Sequence, residues 1–421
     1  MRTSHLISLT APARGVIAFV TVSALVLLGL LALASPAQAS IAPGTNGKIV
    51  FGQIEPNYGV TINPDGSDEH QIGSPGSTTC NTWSPDGSKV LCNVWSEDGV
   101  QPATASPDGS GFTLLNPDLP LDLFCLSWSP DGSRLLCHSE GMNGADAGLY
   151  TVRSSDAGDL VRVTATPRKG FDNGYGYSPD GSRVLFARYD SNDKSTLFSV
   201  NPDGSGALQL TPPRLSVIDL GFFDRIGADW SPDASRVTFA AVQKRSSGRG
   251  FESAAFVVNG DGTGLRRITP AGLFAASAQW SPKGDWIAFT GGRRLPGVWM
   301  ARPDGTAVRK IALPRLDRLD RRVFKRLMRK FLTQCKRNGG SWRQCKRKAK
   351  RRAKKMAASQ RLTPVWSPDS TKLLFQRLSR DSKELWTVNA DGSGLSKLTR
   401  TRNRALFAWL YAWGTAPPAG L

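Results

Sequence analysis

Few residues in this chain have the types and spacing that chemistry needs. Of the three histidines, His5 lies in a leader, which leaves His70 and His138. Two imidazoles do not make a histidine-rich metal site, so no metal and no cofactor are expected. No Gly-x-Ser-x-Gly elbow presents a serine nucleophile. Paired carboxylates would suit glycoside hydrolysis, and acids are common between the apolar runs, but no spacing singles out a pair. Asp-Gly turns recur, yet they lack the ligand spacing and terminal Glu of a calcium loop. These residue types favour binding over catalysis, with a hydrolase or lyase acting on an extracellular glycan as the alternative.

The six cysteines are more informative. Cys80 stands three residues before Trp83 and Cys92 nine after it, and Cys125 and Cys137 hold the same offsets around Trp128. Each pair flanks a Ser-Pro-Asp-Gly turn, which puts its members on neighbouring antiparallel strands at a cross-strand separation that suits a disulfide. Cys80–Cys92 and Cys125–Cys137 are therefore predicted disulfides. Buried free thiols are the alternative, and metal binding lacks a Cys-x-x-Cys or an adjacent His. A third bridge, Cys335–Cys345, is expected in a segment described below.

The elements that position these residues come from a repeat. WSPDGS occurs at 83–88 and 128–133, with variants YSPDGS at 177–182, WSPDAS at 230–235, WSPKGD at 280–285 and WSPDST at 366–371. The anchors Trp83, Trp128, Tyr177, Trp230, Trp280 and Trp366 are spaced by 45, 49, 53, 50 and 86 residues. A period near 50 marks one copied supersecondary unit. An apolar strand A leads to the aromatic, the turn follows, and strand B returns, as in Val184-Leu185-Phe186. A third strand ends in a second turn such as Asn201-Pro202-Asp203-Gly204, and a fourth closes the unit. Four short strands repeated radially predict an all-β, seven-bladed β-propeller over residues 40–421. Its seventh strand A is read at Phe407–Gly414, pairing with the N-terminal strand at 48–51 to close the ring. Six or eight blades are the alternatives.

The run W-S-P-D-G-S-[KR], followed by N-x-D-G-[ST]-G, resembles the WD-repeat-like propeller of the TolB type over roughly residues 46–414. Such propellers include periplasmic scaffold proteins and the propeller halves of serine peptidases, so the resemblance implies a fold and leaves function open. In departure from that family's pattern, no separate N-terminal α/β domain is expected before the first blade, and no further catalytic domain is expected beside the propeller.

Residues 1–39 read as a signal peptide. Arg2 and Arg14 flank a polar start, residues 15–34 carry no charge, and Ala37-Gln38-Ala39 supplies a small-x-small cleavage site before Ser40. The apolar run is also long enough for an uncleaved anchor. A secreted or envelope-associated, extracytoplasmic protein is expected, in keeping with its disulfides.

Net charge is +20, from 54 Lys and Arg against 34 Asp and Glu. Residues 315–361 alone hold 20 basic residues against Asp317 and Asp320, so the rest of the mature chain is neutral. This insertion explains the spacing of 86. Leu316, Leu319, Val323, Leu327 and Phe331 fall on one helical face, Asn338-Gly339-Gly340 breaks it, and Ser341-Trp342-Arg343-Gln344 is a capping box. The expectation is an α-helical hairpin whose second helix carries Lys346, Arg347, Lys348, Lys350, Arg351, Arg352, Lys354 and Lys355. An anionic envelope polymer or another protein would be its partner, with peripheral membrane-surface contact as a further option. A solvated helix, or one folded back on acidic loops, is the bland alternative. No base-reading motif accompanies it, so no specific nucleic-acid partner is expected, and a monomer is.

Alternating strand direction puts A–B and C–D turns on one face and B–C and D–A loops on the other. The uniform turns read as structural. The variable face carries Tyr58, Trp95, Glu97, Asp98, His138, Glu140, Phe171, Asp172, Tyr189, Asp190, Phe222, Phe223, Arg293 and Arg294. Of these, Trp95, His138 and Tyr189 are the candidate binding residues.

Overall fold

The computed structural model describes residues 43–417 apart from 54–57, 98, 117–121, 141–145, 168–169, 219–226, 245–249, 293–296, 312–327, 330–331, 334–340, 342–343, 348–362, 379–382 and 400–410. The signal peptide expected at 1–39 lies outside the described residues, as do Asp98, Phe222, Phe223, Arg293, Arg294, Cys335, Lys348, Lys350, Arg351, Arg352, Lys354 and Lys355.

Seven antiparallel sheets make seven blades. Blade 1 runs Tyr411–Thr415, Asn46–Gln53, Tyr58–Ile62 and His70–Ile72 from strand A to strand D, so the C-terminal strand pairs with the first N-terminal one as expected. Blade 2 is Thr78–Trp83, Val90–Ser96, Gly99–Ala105 and Thr113–Leu114. Blade 3 is Phe124–Trp128, Arg134–Ser139, Gly148–Arg153 and Val161–Arg162. Blade 4 is Phe171–Tyr177, Val184–Tyr189, Ser195–Val200 and Leu208–Gln209. In blade 5 strand A is split into Ser216–Val217 and Ala228–Trp230, both paired with Arg236–Lys244, before Phe251–Asn259 and Arg266–Arg267. Blade 6 is Ala275–Trp280, Ile287–Gly291, Gly297–Ala301 and Arg309–Lys310. Blade 7 is Val365–Trp366, Lys372–Leu378, Lys383–Asn389 and Ser396–Lys397. Each strand A packs on that of the next blade, and blade 7 meets blade 1 through its closing strand.

The repeat motif explains itself in hydrogen bonds. Ser84 Oγ donates to Asp86 Oδ1 at 2.6 Å, which also accepts the Ser88 N–H at 3.0 Å, while Ser84 Oγ accepts the Lys89 N–H at 2.9 Å. The same set forms at Ser129-Asp131, Ser178-Asp180, Ser231-Asp233 and Ser367-Asp369. Where Lys283 replaces the aspartate, Asp285 takes the Ser281 hydroxyl instead, at 2.9 Å. A Cβ on the turn glycines Gly132, Gly181 or Gly284 would rest against Pro85, Pro130 or Pro232 of the preceding blade, so the turns also join neighbours around the ring. The anchor tryptophans do the same: Trp83 Nε1 donates to Ala412 O and Trp366 Nε1 to Gln279 O, each in the preceding blade.

The core lies between blades. One apolar cluster joins Ile49 and Phe51 of blade 1 to Leu373, Phe375 and Leu385 of blade 7, and another joins Leu185 and Leu197 of blade 4 to Trp230 and Phe239 of blade 5. Burial of each such side chain contributes roughly 1.5–3 kcal/mol. Both predicted disulfides are present, Cys80–Cys92 and Cys125–Cys137, with Cα separations of 3.9 and 3.8 Å. Cys345 is also disulfide-bonded.

Within the 315–361 insertion, residues 328–329, 332–333 and 344–347 are helical. The Cys345 N–H donates to Ser341 O at 2.9 Å, and Lys346 and Arg347 are exposed. The rest of the expected hairpin lies outside the described residues.

Candidate functional site

The two faces differ in kind. On the turn face the repeated carboxylates are consumed by their own loops. Hydrogen bonds from Ser110 hold Asp108 below the usual carboxylate range, and those from Ser205 do the same for Asp203. For Asp86, burial pushes the other way, but donors from Ser84 and Ser88 outweigh it. A carboxylate engaged in this way is a turn component with little capacity left for a ligand.

On the loop face, blades 2, 3 and 4 contribute a continuous row. Trp95, on strand B of blade 2, is 42% exposed, and its ring lies 5.9 Å from that of Phe124 in blade 3. Phe124 pairs across the sheet with His138, which is 7% exposed. Burial pulls the His138 imidazole down to about 4 against the opposing effect of the Asp172 carboxylate, so it is neutral at pH 7. Asp172, on strand A of blade 4, is wholly buried and held bidentately by Arg188, with Nε and Nη2 both at 2.7 Å. Arg188 also donates to Ala165 O at 3.2 Å and lies over the rings of Phe186 and Phe198. Next to this pair, Phe171 stacks on Tyr189 with centroids 4.1 Å apart.

The sequence-derived candidates therefore separate. Trp95 offers an open aromatic surface, Tyr189 is half-buried in a stack, and His138 lies beneath the surface. Tyr58 is half-buried at the start of its strand, and Glu97, Glu140 and Asp190 are exposed. Asp190 accepts the N–H groups of Asn192 and Lys194 within its own loop. The Asp172–Arg188 pair is already satisfied, which makes it a rigid base for the row and a poor general base. Among the described residues no group of three or more His, Cys, Asp or Glu is placed to hold a metal.

Two features escaped the sequence reading. Strands B and C of blade 5 form a nine-residue-deep hairpin, and Phe251 at its loop-face end is 62% exposed. The nearly unbroken apolar run from Val237 to Val242 was the available signal. Buried polar side chains also bridge blades at strand A: Asp229 Oδ2 accepts the Trp280 N–H at 2.8 Å, and Asn93 both donates to and accepts from the Cys125 backbone. A polar residue directly before the aromatic was the signal for Asp229, and for Gln279, whose Oε1 accepts the Trp366 N–H at 3.3 Å.

No family model and no curated protein matches this chain. Solved structures match its fold. The β-propeller domain of the Trilobed protease from Pyrococcus furiosus aligns over 87% of this chain and 100% of its own at 12% identity, with a TM-score of 0.53. Oligogalacturonate lyase from Vibrio parahaemolyticus aligns over 86% of this chain and 88% of its own at 13% identity and a TM-score of 0.51. A putative TolB from Agrobacterium tumefaciens aligns over 68% and 84% at 19% identity and a TM-score of 0.43. At such identities the likeness is one of fold alone.

Proposed function

We propose that this chain is a non-catalytic, extracytoplasmic propeller scaffold that binds another macromolecule through its B–C and D–A loop face, with the basic insertion 315–361 reaching toward an anionic envelope polymer. The observation that carries the reading is the contrast between faces. The turn aspartates are spent on their own loops, whereas Trp95 stands open above a row braced by the Asp172–Arg188 pair. Exposed aromatics on a rigid base are the anchors that protein and glycan interfaces use. The signal peptide read at 1–39 and the two disulfides support export. Among the described residues no helix is long and apolar enough to cross a membrane.

The test is site-specific photo-crosslinking of the full chain in its native envelope, from position 95 and, as a control, from position 88 on the turn face. A discrete adduct from position 95 alone is expected. Equal adducts from both positions would sink the loop-face assignment. Turnover in a screen of anionic and neutral glycans would move the reading to the carbohydrate-active alternative.

A further inference from the structure

The neutrality of the propeller outside the insertion is a cancellation of two unlike halves. Residues 43–210, which supply blades 1–4 except the closing strand, carry 10 Lys and Arg against 20 Asp and Glu. Residues 211–314 and 362–421, which supply blades 5–7 and that closing strand, carry 22 against 12. One arc of the ring is thus net −10 and the other net +10, and the insertion of net +18 departs from the positive arc, between blades 6 and 7.

The outermost strands show where the positive charge is displayed. The D strands of blades 5, 6 and 7 are Arg266–Arg267, Arg309–Lys310 and Ser396–Lys397, so five of six residues are cationic. The D strands of blades 1–4 are His70–Ile72, Thr113–Leu114, Val161–Arg162 and Leu208–Gln209, with one arginine among them. Cations on an edge strand discourage edge-to-edge pairing. That need is the same for all seven blades, so it does not account for a division between two arcs. Arg267 is partly neutralised by Glu252 and Lys397 by Glu384, both at 2.8 Å. Arg266 and Arg309 instead donate to backbone carbonyls of the next blade, Pro303 O and Ala390 O, which fixes their positions and leaves their charge in place. The turn acids Asp304 and Asp391 lie close enough to feel them. The row is consequently ordered, exposed and arginine-rich, and guanidinium forks match phosphate oxygens.

From this we infer that the outer edge of blades 5–7 is a binding surface for a linear phosphate polymer, continuous with the ligand class proposed for the insertion. Binding there turns the acidic arc, with Trp95 and Tyr189 on blades 2 and 4, away from the polymer. The protein then holds a polyanion on one arc and its loop-face partner on the other. The surface rests on the proposed function only in sharing that ligand class. The variants below leave 315–361 intact, so failure of the edge and failure of the insertion are told apart.

The probe is labelled inorganic polyphosphate, titrated against the full chain by fluorescence anisotropy across a salt series. Two variants with equal charge change are compared: R266Q/R309Q/K310Q/K397Q on the positive edge and K89Q/R153Q/R162Q/K194Q on blades 2–4. The edge variant is expected to lose about tenfold in affinity at low salt and to show a shallower salt dependence, since fewer phosphates are neutralised. The control variant is expected to stay within about twofold, as its lost charges lie off the surface. Equal losses in both variants would reduce the effect to net charge and overturn the inference, as would no loss in the edge variant. Equal binding of polyglutamate or of anionic vesicles would overturn the phosphate-polymer assignment.

Discussion

His138 shows at the scale of one residue how burial decides chemistry. Its imidazole titrates near 4 in the fold instead of 6.5, because a site 7% exposed disfavours the cation more than Asp172 favours it. The unfolded chain therefore binds a proton that the folded chain refuses between these values. Stability contributed by neutral His138 is complete above pH 6.5 and is lost as pH falls toward 4, by up to about 3 kcal/mol. Urea unfolding at a series of pH values should show this slope in the native chain, and His138→Phe should remove it whatever its own stability offset. A slope unchanged in His138→Phe would place the titration elsewhere. The residue types of this row were legible in the sequence, but the sealing of Asp172 by Arg188 was not. The two are 16 residues apart on paired strands, and only the register Asp172↔Arg188 makes them opposite.

At the scale of the element, the A–B turn is where sequence and structure agree most closely, because its chemistry is local. Pro, Asp and Gly occupy positions whose backbone needs them, and five Ser-Asp pairs repeat one hydrogen-bond set. The departures test it. Ala234 and Ser370 adopt φ of +57° and +62° where other copies have glycine. A non-glycine residue there costs roughly 1–2 kcal/mol, offset by the roughly 0.5–1 kcal/mol that glycine loses in backbone entropy. Ala234→Gly should therefore stabilise by about 0.5–1 kcal/mol. Gly132→Ala should destabilise by a similar amount, since its Cβ would meet only Pro85 Cδ at an ordinary 3.7 Å. Thermal melts of both variants check the pair; a destabilised Ala234→Gly or a stabilised Gly132→Ala would refute the turn account. The split strand A of blade 5 was not legible. Its pairing resumes at Ala228↔Phe239 after Val217↔Ala241, across residues whose composition carries no strand period. A helical period was read over 315–361, and among the described residues of that segment only 328–329, 332–333 and 344–347 are helical.

For the whole molecule, closure decides whether seven blades act as one. Tyr411–Thr415 is a strand of five residues, yet it serves three blades. Trp413 Nε1 donates to Gly47 O at 3.1 Å within blade 1. Ala412 O and Thr415 Oγ1 engage Trp83 and Pro85 of blade 2. The Tyr411 hydroxyl donates to Thr363 O and accepts the Gln376 N–H at 3.3 Å, on blade 7 and its approach. Space there is tight: a Cβ on Gly47 would come within 2.2 Å of Thr415 O. Ending the chain at Leu410 leaves the Asn46–Gln53 edge unpaired and uncovers Trp413's place against Ile49. Ring repeats gain stability from each neighbour interface, so the loss spreads to blades 1, 2 and 7 together. Truncation after Leu410 should abolish the cooperative thermal transition and leave aggregating protein on size-exclusion chromatography. Deletion of 315–361 removes 47 residues against the 11 that follow Leu410, yet it spares every inter-blade contact named above. It should shift the midpoint by no more than about 3 °C. A closing strand that proved dispensable, or an insertion that proved essential for folding, would mean that the ring is held shut by contacts other than these.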